Sequence, residues 1–181
     1  MMRVLPIRRV RLVGRDGART RQRASDIEAQ LGLETAPFTK VGEALRGADV
    51  LVTCTPARAP MVELEDVSPG MFIAAVGADS PGKQELSAEL VAHCTAVADV
   101  RSQCVRVGEL QHPIRAGLMS EDIVHAEIGN ILSGAKPGRT RDDEITLYDS
   151  TGTALQDVAV GFRVYEEAQR RNLGQVVQFG D

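Results

Sequence analysis

The sequence predicts an α/β fold built on a doubly wound, mostly parallel sheet, and three observations carry that prediction. Short apolar runs alternate with helical patterns along the chain. The apolar runs, among them residues 49–53 (DVLVT) and 71–76 (MFIAAV), show no strict in–out alternation, as strands covered on both faces should not. The run 71–76 then ends in Gly77 and a polar loop within VGADSPGKQEL before a helical pattern resumes. In open α/β sheets ligands bind just outside the carboxyl ends of the strands, so this loop stands where chemistry is expected.

Taken in order, residues 9–13 (RVRLV) read as a strand and Gly14-Arg15-Asp16-Gly17 as a turn. A helix follows over 18–31, with Ala24, Ile27 and Leu31 on one face and Gly32 at its end. Residues 35–39 form a weak strand whose Pro37 puts it at an edge. A short helix covers 41–46, and 49–53 is a buried strand ending in Cys54-Thr55-Pro56. After the strand 71–76 and its loop, a helix over about 84–93 turns Leu86, Leu90 and Val91 inward. A strand at 96–99, a helix at 120–132 and a strand at 144–148 follow. Asp149-Ser150-Thr151-Gly152 opens the longest helix, 153–171, and 175–179 reads as a last short strand.

The chain has 181 residues, enough for one proper core, with 43% hydrophobic and 25% charged residues. Its net charge of −4 argues against a nucleic-acid binder. Residues 1–25 hold eight arginines (Arg3, Arg8, Arg9, Arg11, Arg15, Arg19, Arg21, Arg23) against Asp16, but no aromatics interleave, so a solvated helix face explains them better than a nucleic-acid arm. Cys54, Cys94 and Cys104 are an odd count without a C-x-x-C pair, which fits buried thiols in a reducing compartment rather than disulfides or zinc. His93, His112 and His125 have no metal-ligand spacing, and His125 with Glu127 reads as a surface pair. No apolar run approaches the ~20 residues that span a bilayer, and the arginine-interrupted start is no signal-peptide core. A cytoplasmic protein without a membrane or nucleic-acid partner is expected.

Two segments carry the candidate chemistry. In the first, Asp79, Ser80 and Lys83 surround a Pro-Gly pair. Asp-Ser-Pro-Gly is also good turn and helix-capping chemistry, and Lys83 reads either as a partner that keeps Asp79 ionised or as a surface residue. The second segment, residues 140–157 (TRDDEITLYDSTGTALQD), has the same order of polar loop, strand and helix start. Here Ser150 or Thr151 could cap the long helix.

Together GADSPGKQEL and KPGRTRDDEITLYDSTGTALQD resemble the ornithine cyclodeaminase/mu-crystallin family, and the resemblance covers about residues 10–168. It implies a Rossmann-like fold and NAD(P)-dependent chemistry on an α-amino acid or cyclic imine, as in ornithine cyclodeaminase, alanine dehydrogenase or ketimine reductase. A non-catalytic NADP(H) and small-ligand binder like mu-crystallin, or an inactive remnant, is the alternative. The resemblance makes Asp79 the catalytic candidate: a carboxylate there can take a proton, position the amine or activate water. It sets Thr53 and Thr55 along the adenosine side of the cofactor, and Ser150, Thr151 and Gly152 near the nicotinamide. Asp99, Arg101 and Ser102 fall near the cleft without a named role.

A dinucleotide-binding sheet normally opens with a strand, a glycine-rich turn and a helix. No G-x-G-x-x-G or G-x-G-x-x-A occurs in this sequence. The expected fold is therefore a Rossmann-like doubly wound sheet lacking its first strand–glycine loop–helix unit, with Met1 to Pro6 matching only the end of that helix. Residues 1–157 are expected as the NAD(P)-binding part, and 158–181 as a segment returning toward the family's substrate half. A missing central strand leaves two neighbours unpaired, which predicts dimerisation or poor solubility. After the second strand of a complete fold an acid holds the NAD ribose, whereas a nearby arginine accommodates the NADP phosphate. Gly14 takes the acidic position with Arg15 beside it, so NADP(H) is favoured over NAD(H), with Asp16 still able to reach a ribose hydroxyl or simply to cap the helix.

Overall fold

The computed structural model describes residues 4–177. The contacts divide the chain between Thr151 and Gly152, on the N-terminal side of the expected 157/158 boundary.

The first unit opens with β1 (Arg9–Val13) and α1 (Gly17–Leu31). The Asp16 carboxylate accepts the Ala18 and Arg19 N–H groups at 2.9 and 3.1 Å, a cap worth about 1 kcal/mol. Gly32 ends the helix at φ +66°, and Leu31 is exposed rather than sharing the inward face with buried Ala24. β2 (Glu34–Phe38) pairs parallel with β1 and, as Pro37 requires, has no further strand beside it among the described residues. α2 (Val41–Leu45) and β3 (Val50–Thr53) follow as expected.

β4 (Arg58–Val62), unforeseen because Pro60 interrupts it, pairs with β6 (Gln84–Leu86) as a separate parallel ribbon. Between them lies β5 (Phe72–Ala75). The helix expected over 84–93 is thus β6 followed by α3 (Ala88–His93), with the Ser87 hydroxyl accepting the Leu90 N–H at 3.3 Å. The cause is non-local, because the Glu85 and Leu86 N–H groups go to the Glu109 carboxylate instead of a helical carbonyl.

β7 (Thr95–Ala98) leads into α4 (Arg101–Val107) and α5 (Gln111–Arg115), both missed in the sequence. The helix expected over 120–132 breaks into a 3₁₀ turn at Glu121–Ile123, β8 (Ala126–Glu127) and α6 (Ile128–Leu132). Buried Ala126 extends there to pair with Val97. The expected His125–Glu127 pair does not form: the His125 ring meets the Pro137 carbonyl at 2.9 Å, and Glu127 accepts the Arg101 N–H at 2.8 Å. β9 (Thr146–Asp149) runs one residue further than expected, so Asp149 ends the strand instead of starting the helix.

The main sheet is all parallel, in the order β3-β5-β9-β7-β8. Ile73 on β5 and Leu147 on β9 are fully buried at its centre, with Leu86, Leu90 and Leu110 packed in the same core. Each such side chain stabilises by about 1.5–3 kcal/mol. β1 pairs with β2 alone and β3 with β5 alone, so each keeps an edge without a strand among the described residues; Val13 and Val52 are exposed there. Two of the arginines near the start bond within the fold. Arg9 pairs with Glu34 at 2.8 Å, and Arg11 donates to the Ala44 carbonyl at 2.8 Å and to that of Arg46. Arg3 lies outside the described residues.

Of the three thiols expected to be buried, Cys104 is, Cys94 is partly covered and Cys54 is exposed. The second unit is α7 (Ala154–Arg171), which exposes Leu155, Val158, Phe162 and Tyr165 and closes with Asn172 at φ +53°. Residues 175–177 form no strand, and the rest of the expected 175–179 strand lies outside the described residues. No helix among the described residues is long and apolar enough to cross a membrane.

Candidate active site at the carboxyl ends of the strands

The candidate residues of the first unit lie where the parallel strands end: residues 14–16 after β1, 53–55 at the end of β3, 77–79 after β5, 99 after β7 and 149–151 at the end of β9. In the loop after β5 the Lys83 N–H returns to the Ser80 carbonyl at 3.2 Å, with Pro81 and then Gly82 at φ +75° between them. This is the type II turn that Pro-Gly favours. It brings the Lys83 ammonium 2.6 Å from Asp79 Oδ1, which also accepts the Ser80 hydroxyl at 2.8 Å. The bond from Lys83, then that from Ser80, holds the Asp79 carboxyl below its ordinary range. Asp79 is half exposed whereas Lys83 is mostly covered, so Lys83 is a partner and not a free surface residue. Neither donor occupies the second carboxylate oxygen, Oδ2.

The loop rests on buried acids that sequence reasoning missed. Glu85 is fully buried, and its carboxylate accepts the Thr55 N–H at 2.5 Å and the Gly77 N–H at 3.1 Å, tying the end of β3 to the end of β5. A Cβ on Gly77 would lie 2.4 Å from Glu85 Oε2 and 2.5 Å from the Thr55 carbonyl, so this position has no room for a side chain. Glu109 in turn accepts the Glu85 and Leu86 N–H groups at 2.7 and 3.2 Å. Burial pushes its carboxyl up to about 8 against those two donors, with the nearby Asp149 and Glu85 acids adding to the rise. No sequence signal separates these acids: Glu-Leu pairs stand at Glu63-Leu64 and Glu89-Leu90 as well as at Glu85-Leu86 and Glu109-Leu110, and Glu63 and Glu89 are exposed.

Asp149 is fully buried; Oδ2 accepts the Leu110 N–H at 3.0 Å, and burial pushes the carboxyl up to about 7. Asp99 gathers the other side of the strand ends. It accepts the Thr151 N–H at 2.8 Å, the Ser150 and Thr151 hydroxyls at 3.2 Å each, and the Cys104 thiol at 3.0 Å. Ser150 and Thr151 therefore do not cap the long helix. Thr153 stands at the cap position, without a side-chain cap bond. Gly152, at φ +78°, begins the second unit.

After β1, residues 14–16 line a cleft of about 610 Å³ together with Arg19 and Arg23. Arg19 and Arg23 lie one turn apart on α1, and Arg15 stands in the loop just before its cap, so three arginines line one opening. Arg23 also lies 3.6 Å from Asp26. Asp16 spends Oδ1 on its cap. At the end of β3 the Thr53 hydroxyl is buried without a partner, and the Thr55 hydroxyl accepts the Ala57 N–H at 3.2 Å. No cluster of side chains that could hold a metal ion occurs among the described residues.

Comparison with known proteins identifies the fold and the family. The chain is 42% identical over 158 residues to the iminosuccinate reductase of Paracoccus denitrificans, a match covering 86% of this chain and 48% of that protein. An archaeal alanine dehydrogenase, solved as a dimer with bound NAD, superposes with a TM-score of 0.91 at 39% identity, over 99% of this chain and 55% of that one. The Thermococcus litoralis Δ1-pyrroline-2-carboxylate reductase, solved with NADH and L-proline, gives 0.93 at 28% identity, over 97% and 55%. The chain thus spans about half the length of the curated relatives it matches. The ornithine cyclodeaminase/mu-crystallin family model matches residues 1–172, and the chain belongs to that family.

Proposed function

We propose that residues 1–157 form the cofactor side of an NAD(P)-dependent enzyme acting on a small α-amino acid or cyclic imine, with Asp79 as its proton-handling group. The observation that carries this reading is the Asp79 carboxylate, half exposed at the carboxyl end of β5 and held ionised through Oδ1 alone. An ionised carboxylate beside a substrate nitrogen can accept its proton, or one from an attacking water, at Oδ2. A nicotinamide cofactor supplies the hydride transfer. The chain fits such a group. Three arginines line the cleft after β1, and a buried hydroxyl of Thr53 lacks a partner at the next strand end. Thr55 continues that edge; Ser150, Thr151 and Gly152 complete the proposed contact set after β9, where Asp99 already holds the Thr151 N–H and the Ser150 and Thr151 hydroxyls.

We favour NADP(H) over NAD(H), since Arg15, with Arg19 and Arg23 beside it, answers a 2′-phosphate better than a ribose diol. Asp16 retains Oδ2 for a ribose hydroxyl. The proposal includes a cytoplasmic homodimer, supported by the free thiols and by the dimeric alanine dehydrogenase neighbour. The test is a calorimetric titration of the 181-residue chain with NADPH and then NADH. Micromolar NADPH binding is expected, weakened far more for NADPH than for NADH by Arg15→Ala and kept by Asp79→Asn. Equal losses for both cofactors in Arg15→Ala would refute the phosphate contact, and no binding by a folded chain would refute the cofactor reading.

A further inference from the structure

One five-residue stretch, Gly108-Glu109-Leu110-Gln111-His112, spends its polar groups on another, Gly82-Lys83-Gln84-Glu85-Leu86. Glu109 takes the N–H groups of Glu85 and Leu86. Gln111 Oε1 takes the Gly82 N–H at 3.1 Å, while its amide donates to the Gly108 carbonyl at 2.9 Å and leans on the Lys83 carbonyl at 3.5 Å. His112 Nε2–H donates to the Lys83 carbonyl at 2.7 Å. Leu110, fully buried and bonded through its N–H to Asp149, anchors the stretch.

Gln111 is fully buried. An apolar side chain of the same volume would fill its place without the desolvation cost of an amide. What the amide supplies is direction: its oxygen holds the Pro81–Gly82 peptide through the Gly82 N–H, and its nitrogen faces the Lys83–Gln84 peptide through the Lys83 carbonyl. These two peptides flank the last link of the type II turn, and Lys83 reaches Asp79 from there. A lysine–carboxylate pair near the surface ordinarily gains little, because holding two flexible side chains in register costs entropy. Fixing the Lys83 backbone removes part of that cost in advance.

We propose that Gln111 and His112 are positioning residues, which set the charge and aim of Asp79 by clamping the main chain of its partner Lys83. The inference rests on the reading of Asp79 as the proton-handling group. Its mechanism runs from α5 to the turn, from the turn to the Lys83 ammonium, and from there to Asp79 Oδ1, leaving Oδ2 to neither donor. Loss of the clamp frees Lys83 to sample other rotamers, and Asp79 then binds a proton more readily.

The experiment follows the Asp79 side-chain carboxyl carbon by NMR as pH is lowered, in the full chain without nucleotide or substrate, with Asp79→Asn to assign the signal. The variants are Lys83→Met, His112→Phe, His112→Gln and Gln111→Leu. In the parent chain Asp79 titrates below the ordinary carboxylate range. Lys83→Met shifts the midpoint upward; His112→Phe and Gln111→Leu carry it most of the way to the same value. His112→Gln, which keeps a neutral N–H donor at similar reach, holds it at the parent value. A parent-like midpoint in His112→Phe would overturn the proposal even if its melting temperature fell, because a merely structural role lowers stability without touching Asp79. A parent-like midpoint in Lys83→Met would overturn it as well. If Gln111→Leu does not fold, the two His112 variants decide, since that side chain is only half-buried. Because no cofactor is present, failure to bind NADPH is a separate result and refutes the functional reading alone.

Discussion

Replacing Glu109 by Gln tests the buried acids through the pH dependence of folding. Glu109 holds its proton to about 8 in the folded chain and loses it near 4.5 when unfolded; for Asp149 the values are about 7 and 3.8. Between about pH 4.5 and 7 the unfolded chain therefore binds two fewer protons at these sites than the folded chain. Stability must fall as pH rises through that window, by about 1.4 kcal/mol per unit per group, or about 2.7 for the pair. From pH 5 to 7 the loss is about 5 kcal/mol, comparable to the whole stability of an ordinary domain. Neighbouring acids act in the same direction: Glu85 on Glu109, and Asp99 on Asp149.

Glu109→Gln removes one of the two protons, so the slope should halve to about 1.4 kcal/mol per unit. The substitution also has a cost that does not depend on pH. Both Glu109 oxygens accept a backbone N–H, whereas a Gln nitrogen cannot, so one of the Glu85 and Leu86 N–H groups is left buried and unpaired, about 1–3 kcal/mol. The variant should be the weaker protein at pH 5 and overtake the parent about one to two pH units higher. Urea unfolding of both chains at intervals from pH 5 to 8, with the denaturant slope checked for constancy, measures this. A parent stability that stays level or rises from pH 5 to 7 would refute the reasoning, and so would equal slopes in the two chains.

Two further outcomes follow from packing. Leu147→Ala, at the centre of the main sheet where the side chain is fully buried, should cost about 2–5 kcal/mol in urea unfolding at fixed pH; a loss under about 1 kcal/mol would mean the core closes over the space. Native alkylation followed by peptide mass mapping should modify exposed Cys54 alone. Burial pushes Cys94 up to about 12 and Cys104 further still, so both stay protonated as well as covered.

β3, β5 and β7 were legible because their apolar runs are unbroken, and β1 coincides with the expected 9–13, whereas the short strands β4, β6 and β8 carry no such run. The Asp79 loop was legible because polar residues directly follow such a run. The acids beneath it were not, and the reason is physical. Glu and Asp are almost never fully buried unless something answers their charge or its loss. For Glu85 the answer is two N–H groups, on Thr55 and Gly77, from chain segments that meet only in the folded sheet. For Glu109 it is the N–H groups of Glu85 and Leu86. The same bonds explain the misread helix at 84–93. Leu86, Leu90 and Val91 do share an inward face and are all buried, as helical spacing implies. Yet the peptide groups at 85 and 86 are taken by the Glu109 carboxyl group, which lies more than twenty positions further along the chain. Hydrophobic periodicity registers which side chains leave water; it cannot register which backbone donors have been claimed from a distance. In this chain the claimed donors belong to residues 82–86, just after the loop that carries Asp79. Glu109, Gln111 and His112 are hard to read for the same reason: their partners at residues 82–86 meet them only in the folded chain.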